Sequence, residues 1–196
     1  MKIGILGTGN VGSRLTALFT QGGHDVLMGG RSGEISLQDA AAHGDIVVVA
    51  VHYHVAAEVL RPLAVTLAGK IVVDATNPLN DEWSPMLLGQ ETSASEEIAK
   101  LLPQSKVVKA FNTIFADVMY PDAISRGGQN ITAFAAGDDS EAVADVAALA
   151  RDAGFAPVAI TKLSAARYLE AMAHLNIELA VGQGGGTNAA FLYHRA

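Results

Sequence analysis

Cysteine is absent from the 196-residue chain, which excludes disulfides, thiolate metal centres and cysteine nucleophiles together. Basic residues are scarce: 13 Lys and Arg against 20 Asp and Glu leave a formal charge of -7. That balance argues against nucleic acid or an anionic membrane surface as a partner. Long hydrophobic runs are missing as well, since a membrane helix needs about 20 consecutive apolar residues. The apolar run after Lys2 is broken by glycine at once, unlike a secretory signal, so a cytoplasmic location is the expectation. Aromatic residues make up only 6% and tryptophan occurs once, at Trp83. With half of its residues hydrophobic, a chain of this length builds one substantial core, and a single domain over 1–196 is expected.

What is present starts at the N-terminus. An apolar run, Lys2 to Leu6, breaks into Gly7-Thr8-Gly9-Asn10-Val11-Gly12, and Val11, Leu15, Leu18 and Phe19 then recur at helical spacing. Between a strand and an amphipathic helix the three glycines have separate jobs: a tight turn, a backbone approach to a pyrophosphate, and close helix-on-strand packing. The phosphate lies on the helix N-terminus, where free N–H groups and the dipole favour negative charge. The second strand, His24 to Met28, ends in Gly29-Gly30-Arg31-Ser32. NAD-selective sites place an acid near here to accept from the ribose 2′-OH, whereas an arginine accommodates a 2′-phosphate. No acid is present and Arg31 is, so NADP(H) is expected over NAD(H).

Further along, Asp45 to Val51 reads as a strand buried on both faces, Lys70 to Asp74 as a fourth strand and Lys106 to Ala110 as a fifth. A short helix over Ser36 to Gly44 and a longer one over His54 to Leu67, broken at Pro62, lie between them. Ligands of such folds lie beyond the carboxyl ends of the strands. That rule marks Val51, His52, Tyr53, Asn77, Phe111, Asn112 and Thr113 as candidate cofactor contacts, with His52 the candidate proton donor or polar contact. His52 and His54 share a face as a strand pair, but no third metal ligand is near them in sequence, and no metal site is expected. Pro78 to Thr92 is a long aperiodic stretch, either a lid or a surface excursion. Ser93 and Glu96 have capping-box spacing ahead of a helix to Leu102. A sixth strand (Asn130 to Ala136), a helix (Asp138 to Ala153) and a final strand (Gly154 to Ile160) follow, the last placed at an edge by Pro157. The alternation predicts an α/β fold, a doubly wound parallel sheet of the Rossmann type.

The last helix, Ser164 to Val181, carries Arg167, Glu170, His174 and Glu178 on one stripe and is apolar nearly everywhere else. One sheet face cannot cover such a helix, which predicts a two-fold dimer. Asn176, across from the stripe, is either a satisfied core amide or a site residue. The glycine-rich segment Gly182 to Gly186 either admits a flat ligand or only stops the helix.

The segments Gly7 to Gly12, Gly30-Arg31, Val72 to Pro78, Val107 to Thr113, Gly137-Asp138 and Leu169 to Ile177 resemble the F420-dependent NADP oxidoreductases and their short bacterial relatives, and Val-Lys-Ala-Phe-Asn-Thr is the most family-specific of them. The chain is also similar to the NADPH domain of the membrane metalloreductases. The resemblance implies pyrophosphate contacts from Thr8 to Val11, a 2′-phosphate at Arg31, a nicotinamide flanked by strands three to five, and F420 or a flavin as second substrate beside the glycine-rich C-terminal loop. Gly30 departs from the serine of the archaeal enzymes, and Val51-His52-Tyr53-His54 departs where they carry a proline. Two other readings remain: a reductase of small imines or hydroxyacids, and a noncatalytic NADPH-binding sensor.

Overall fold

The computed structural model describes residues 1–80, 82–86 and 91–195. In chain order the elements are β1 (Lys2–Leu6), α1 (Asn10–Gln21), β2 (Asp25–Gly29), α2 (Leu37–His43), β3 (Ile46–Val49), α3 (Tyr53–Leu60), α4 (Ala64–Leu67), β4 (Ile71–Asp74), α5 (Ala94–Leu101), β5 (Lys106–Ala110), α6 (Pro121–Ile124), β6 (Ser125–Arg126), β7 (Gln129–Asn130), β8 (Thr132–Gly137), α7 (Ser140–Asp152), β9 (Ala156–Ile160) and α8 (Ala166–Ile177). A tight 3-10 turn, Arg61–Leu63, contains Pro62 and separates α3 from α4, the break expected of a proline that cannot donate its N–H. Ser36 caps α2 by accepting from the Asp39 N–H. Ser93 caps α5 in the same way, but the Glu96 carboxylate takes the Ser93 hydroxyl and the Arg167 guanidinium, so the reciprocal half of the expected capping box is replaced.

The seven-stranded sheet runs β2-β1-β3-β4-β5-β8-β9. The strands from β2 to β5 are parallel, with Gly4 beside Val47 and Val73 beside Val108 in register. The expectation of a parallel sheet is corrected at one pairing: β8 lies antiparallel to β5, with Ala110 opposite Ala135. After β5 the chain stays at the carboxyl edge through α6 and the β6–β7 hairpin, so it re-enters the sheet from that edge and must run backwards. β9 pairs parallel with β8 and forms the outer edge, where Pro157 withholds a donor harmlessly.

Strand residues alternate between two cores. Ile3, Ile5, Val48, Val73 and Val108 pack with Leu15, Phe19, Val143 and Val146 on the α1 and α7 side. Val47, Val49, Val72 and Val107 pack with Ala40, Leu60, Leu67 and Ile98 on the other. Burial on both faces explains why these strands read as continuous apolar runs rather than alternating ones. Of the stretch Pro78 to Thr92, residues 81 and 87–90 lie outside the described residues. The part that is described folds back on itself, with Leu79 bridging Pro85 and the Met86 N–H donating to the Pro78 carbonyl.

Candidate functional site

The sheet order reverses at β1, which has β2 on one side and β3 on the other. Such a reversal leaves a crevice at the carboxyl ends of the strands. The glycine turn sits there. Gly7 has φ +123°, and a Cβ on it would lie 2.3 Å from the Ala50 carbonyl oxygen. A Cβ on Gly12 would lie 2.1 Å from the Gly7 oxygen, so α1 rests directly on the turn. Gly9 has open space around its Cβ position and is exposed with Thr8 and Asn10, while Val11 is half-buried. Helix α1 starts there without a side-chain cap or an acidic residue in its first turn. Its first N–H groups therefore face the crevice without a competing side-chain acceptor, the arrangement a pyrophosphate needs.

At the next strand end, the Gly7 N–H donates to the Gly29 carbonyl and the Gly30 N–H to the Ile35 carbonyl, closing a short loop that presents Arg31 and Ser32 to solvent. Arg31 forms no ion pair among the described residues. At the end of β3, Val51 packs beside Gly7 and His52 is the N-cap of α3 without capping by its side chain. The His52 and His54 rings are exposed and stacked, with centroids 5.6 Å apart. No cluster of three metal-ligating side chains occurs among the described residues. Tyr53 is half-buried; burial first, then the Glu97, Glu170 and Asp74 carboxylates, push its hydroxyl above the ordinary tyrosine range, so it stays a donor.

The ends of β4 and β5 are joined by two amides. The Asn77 Nδ2 donates to the Asn112 carbonyl at 2.8 Å, and the Asn112 Nδ2 donates to the Asn77 Oδ1 and the Leu169 carbonyl at 3.0 Å each. Phe111, just past β5, has φ +64°. For a bulky residue that conformation costs about 1–3 kcal/mol, and such strain concentrates at functional sites. Its ring is 2% exposed between Phe19 and Phe155. The Phe111 side chain therefore packs in the core. Thr113 is buried, and its carbonyl accepts from Asn176. Asn176 is thus the satisfied core amide.

Beneath this pair lies a charged cluster that sequence reasoning did not place in the site. Lys109 is fully buried and its Nζ donates to Asp74 Oδ2 at 2.9 Å, Glu170 Oε1 at 2.9 Å and the Thr76 carbonyl at 2.7 Å. Burial works against its charge, but the two carboxylates outweigh this and hold its ammonium above the ordinary lysine range. Asp74 also accepts from the Thr76 N–H and the Ser95 hydroxyl, and Glu170 from the Ala94 and Ser95 N–H groups that begin α5. The signal was available: a lysine in a strand buried on both faces demands partners, and Asp74 is its register neighbour.

The same contacts correct the picture of the last helix. Three residues of its charged stripe face the protein, with Arg167 forked onto Glu96, Glu170 on Lys109 and His174 against the Pro78 carbonyl, while Glu178 is exposed. The flank that points to solvent is apolar: Tyr168, Leu175, Leu179 and Val181 are each at least half exposed. Burial holds the His174 imidazole below the ordinary histidine range; the Pro78 carbonyl opposes this and the Lys109 charge adds to it. After the π-helical turn Glu178–Gly182, the exposed glycine loop closes with the Gln183 N–H on the Glu178 carbonyl. The Thr187 hydroxyl then donates to Asp117, tying the loop to the segment that leaves β5.

A family model described as NADP oxidoreductase, coenzyme F420-dependent, matches residues 32–78. Metalloreductase STEAP3 of Rattus norvegicus is 34% identical over 186 residues, which is 87% of this chain and 36% of that one. The F420-dependent NADP reductase of Methanocaldococcus jannaschii is 33% identical over 81 residues, 39% of this chain and 36% of the archaeal one. The chain thus spans little more than a third of the length of these curated relatives. A solved structure from Arthrobacter sp. FB24, described as an F420-dependent NADP-reductase, superposes with a TM-score of 0.89 at 30% identity and covers 100% of both chains. On that full-length likeness, the chain belongs to the F420-dependent NADP oxidoreductase family.

Proposed function

We propose that the chain transfers a hydride between NADP(H) and a flat redox acceptor, F420 or a flavin-like ring. The observation that carries the reading is the end of β2, where no acid is present and Arg31 is the first side chain beyond two glycines. A guanidinium grips a phosphate with paired N–H bonds. The open cradle at Gly9 and the uncapped start of α1 fit the pyrophosphate. In this reading Gly7, Thr8, Gly9, Asn10, Val11 and Gly12 border the pyrophosphate, and Gly30, Arg31 and Ser32 the 2′-phosphate. Val51, Tyr53, Asn77, Asn112, Thr113 and the Phe111 backbone border the nicotinamide.

The bound dinucleotide and acceptor supply the redox chemistry. The chain supplies placement: the interlocked Asn77 and Asn112 hold two strand ends at a fixed separation, and the Tyr53 hydroxyl offers a donor. His52 is the polar contact or proton donor on the exposed side. Orientation of this kind is where a protein without a nucleophile contributes most.

Nicotinamide oxidation, followed with NADPH or NADH against F420, FMN, FAD and ferric chelates, tests the reading. NADPH-dependent turnover of F420 or a flavin is expected. Equal rates with NADH would overturn the 2′-phosphate assignment, and turnover only with an imine or hydroxyacid would overturn the acceptor. We assign the apolar flank of α8 to a second copy in a cytoplasmic homodimer; light scattering of wild type and L175E/L179E should read dimer and monomer, and a monomeric wild type rejects it.

A further inference from the structure

The contacts within the buried cluster fix the charge of each member. The Lys109 Nζ has three acceptors, Asp74, Glu170 and the Thr76 carbonyl, and only an ammonium carries three N–H bonds. Both oxygens of Glu170 accept from N–H donors, Oε2 from Ala94 and Oε1 from Ser95 and Lys109, so neither has room for a proton. Both oxygens of Asp74 are taken likewise, Oδ1 by the Thr76 N–H and Oδ2 by Lys109 and the Ser95 hydroxyl. Two carboxylates therefore face one ammonium. The N–H groups that begin α5 offset part of the Glu170 charge, about half a unit at most, and a net anion remains. The other cations of these four elements are matched elsewhere: Lys106 with Asp139, Lys100 with Glu97 and Arg167 with Glu96. Lys109 and Asp74 have no exposed surface and Glu170 has 4%, so salt screens the excess charge far less than it would outside. Its sign reaches the crevice, where the Glu97, Glu170 and Asp74 carboxylates add to burial in holding the Tyr53 proton.

We propose that Asp74 and Glu170 set the redox balance of the bound dinucleotide: their unmatched negative charge favours the cationic, oxidised nicotinamide over the neutral, reduced one. This rests on the reading that the Asn77–Asn112 pair borders the nicotinamide. Thr76 connects the two sites, since its carbonyl lies on Lys109 and Asn77 follows it. In the transfer a hydride, one proton with two electrons, leaves the ring for the flat acceptor, which then takes a proton from solvent. The nicotinamide passes from neutral to one positive charge, and no other group of the dinucleotide changes charge. Phosphate contacts therefore cancel when the two forms are compared, and the ratio of their affinities isolates the field at the ring. An anion there lowers the potential of the bound couple, makes bound NADPH the stronger hydride donor and opposes the reverse transfer.

The test compares wild type, D74N and D74N/K109M. Their clusters carry one excess negative charge, none, and one again, because Glu170 keeps its two α5 N–H groups in the double variant. Dissociation constants for NADP+ and NADPH are read by calorimetry without acceptor, and thermal melts confirm folding. The ratio Kd(NADPH)/Kd(NADP+) should fall about tenfold in D74N, which raises the two-electron potential of the bound couple by about 30 mV. It should return toward the wild-type value in D74N/K109M, whatever the melting temperature of that variant. Loosened structure alone would carry the ratio further from wild type in the double variant or leave it unmoved throughout, and either result overturns the proposal. Should D74N or its double variant fail to fold, E170Q and E170Q/K109M carry the same charges and the same expectation. A wild type that binds neither NADP+ nor NADPH would refute the underlying NADP(H) reading, whereas tight binding with one ratio across the series refutes the tuning alone.

Discussion

Arg31 is a single charge on an exposed loop, and its expected effect is correspondingly local. Charge-assisted hydrogen bonds contribute about 1.5–3 kcal/mol each, so R31A should raise the KM for NADPH about 10- to 100-fold and leave that for NADH nearly unchanged. Steady-state kinetics with the two dinucleotides read this directly. His174 makes a different prediction. Its folded pKa lies below its unfolded one because burial penalises the imidazolium, so the unfolded state binds more protons near neutrality. Stability from this residue is therefore present above the unfolded value of about 6.5 and falls as pH drops below it. Urea midpoints at pH 7.5 and 5.5 should diverge more in wild type than in H174N. Arg31 could be singled out in the sequence because its proposed role comes from its position after one motif. His174 was not, because its environment is assembled from β4, β5 and α8.

At the level of elements, the Lys109 cluster fastens four of them, β4, β5, α5 and α8, at one point beneath the Asn77–Asn112 pair. Breaking a buried ion pair by removing one partner costs about 3–5 kcal/mol, since the remaining charges stay buried and unpaired. K109M should lower the urea-unfolding free energy by that amount. E96Q, which loosens the half-exposed Arg167 pair, should change it by about 1 kcal/mol or less. Because the Lys109 pKa is raised in the folded state by its carboxylate partners, the contribution of its charge is present below the unfolded lysine value of about 10.4 while those partners are ionised, and is lost as pH rises through the folded value. Helix α8 shows why this lock was hard to see. Its periodicity marked Ser164 to Val181, of which Ala166–Ile177 is α-helix and Glu178–Gly182 a π-helical turn, and it marked the charged stripe, but charge on a stripe is usually solvated. Here the stripe docks because its partners, Lys109 and Glu96, wait on elements far away in sequence.

For the whole molecule, the doubly wound sheet was legible because parallel strands buried on both faces leave unmistakable aliphatic runs. The alternation of elements pointed to the doubly wound class, whereas the strand order and its reversal at β1 come from the structure. The reversal of β8 was not legible, since residues 111–131 carry no periodic pattern that fixes which edge they return from. The long stretch after β4 was seen as irregular, and it contains Trp83, with φ +64° and 57% exposed, in a turn held by Asn80 and Ser84. One indole in the whole chain, placed close after Asn77, gives the protein a built-in optical reporter. Reduced nicotinamide absorbs where indole emits, so NADPH titrated into the unlabelled protein should quench Trp83 fluorescence saturably, and W83F should abolish the signal without a dye or an added probe. The same lone fluorophore makes energy transfer a ruler: its efficiency at saturation reports the distance from one known residue to the bound ring.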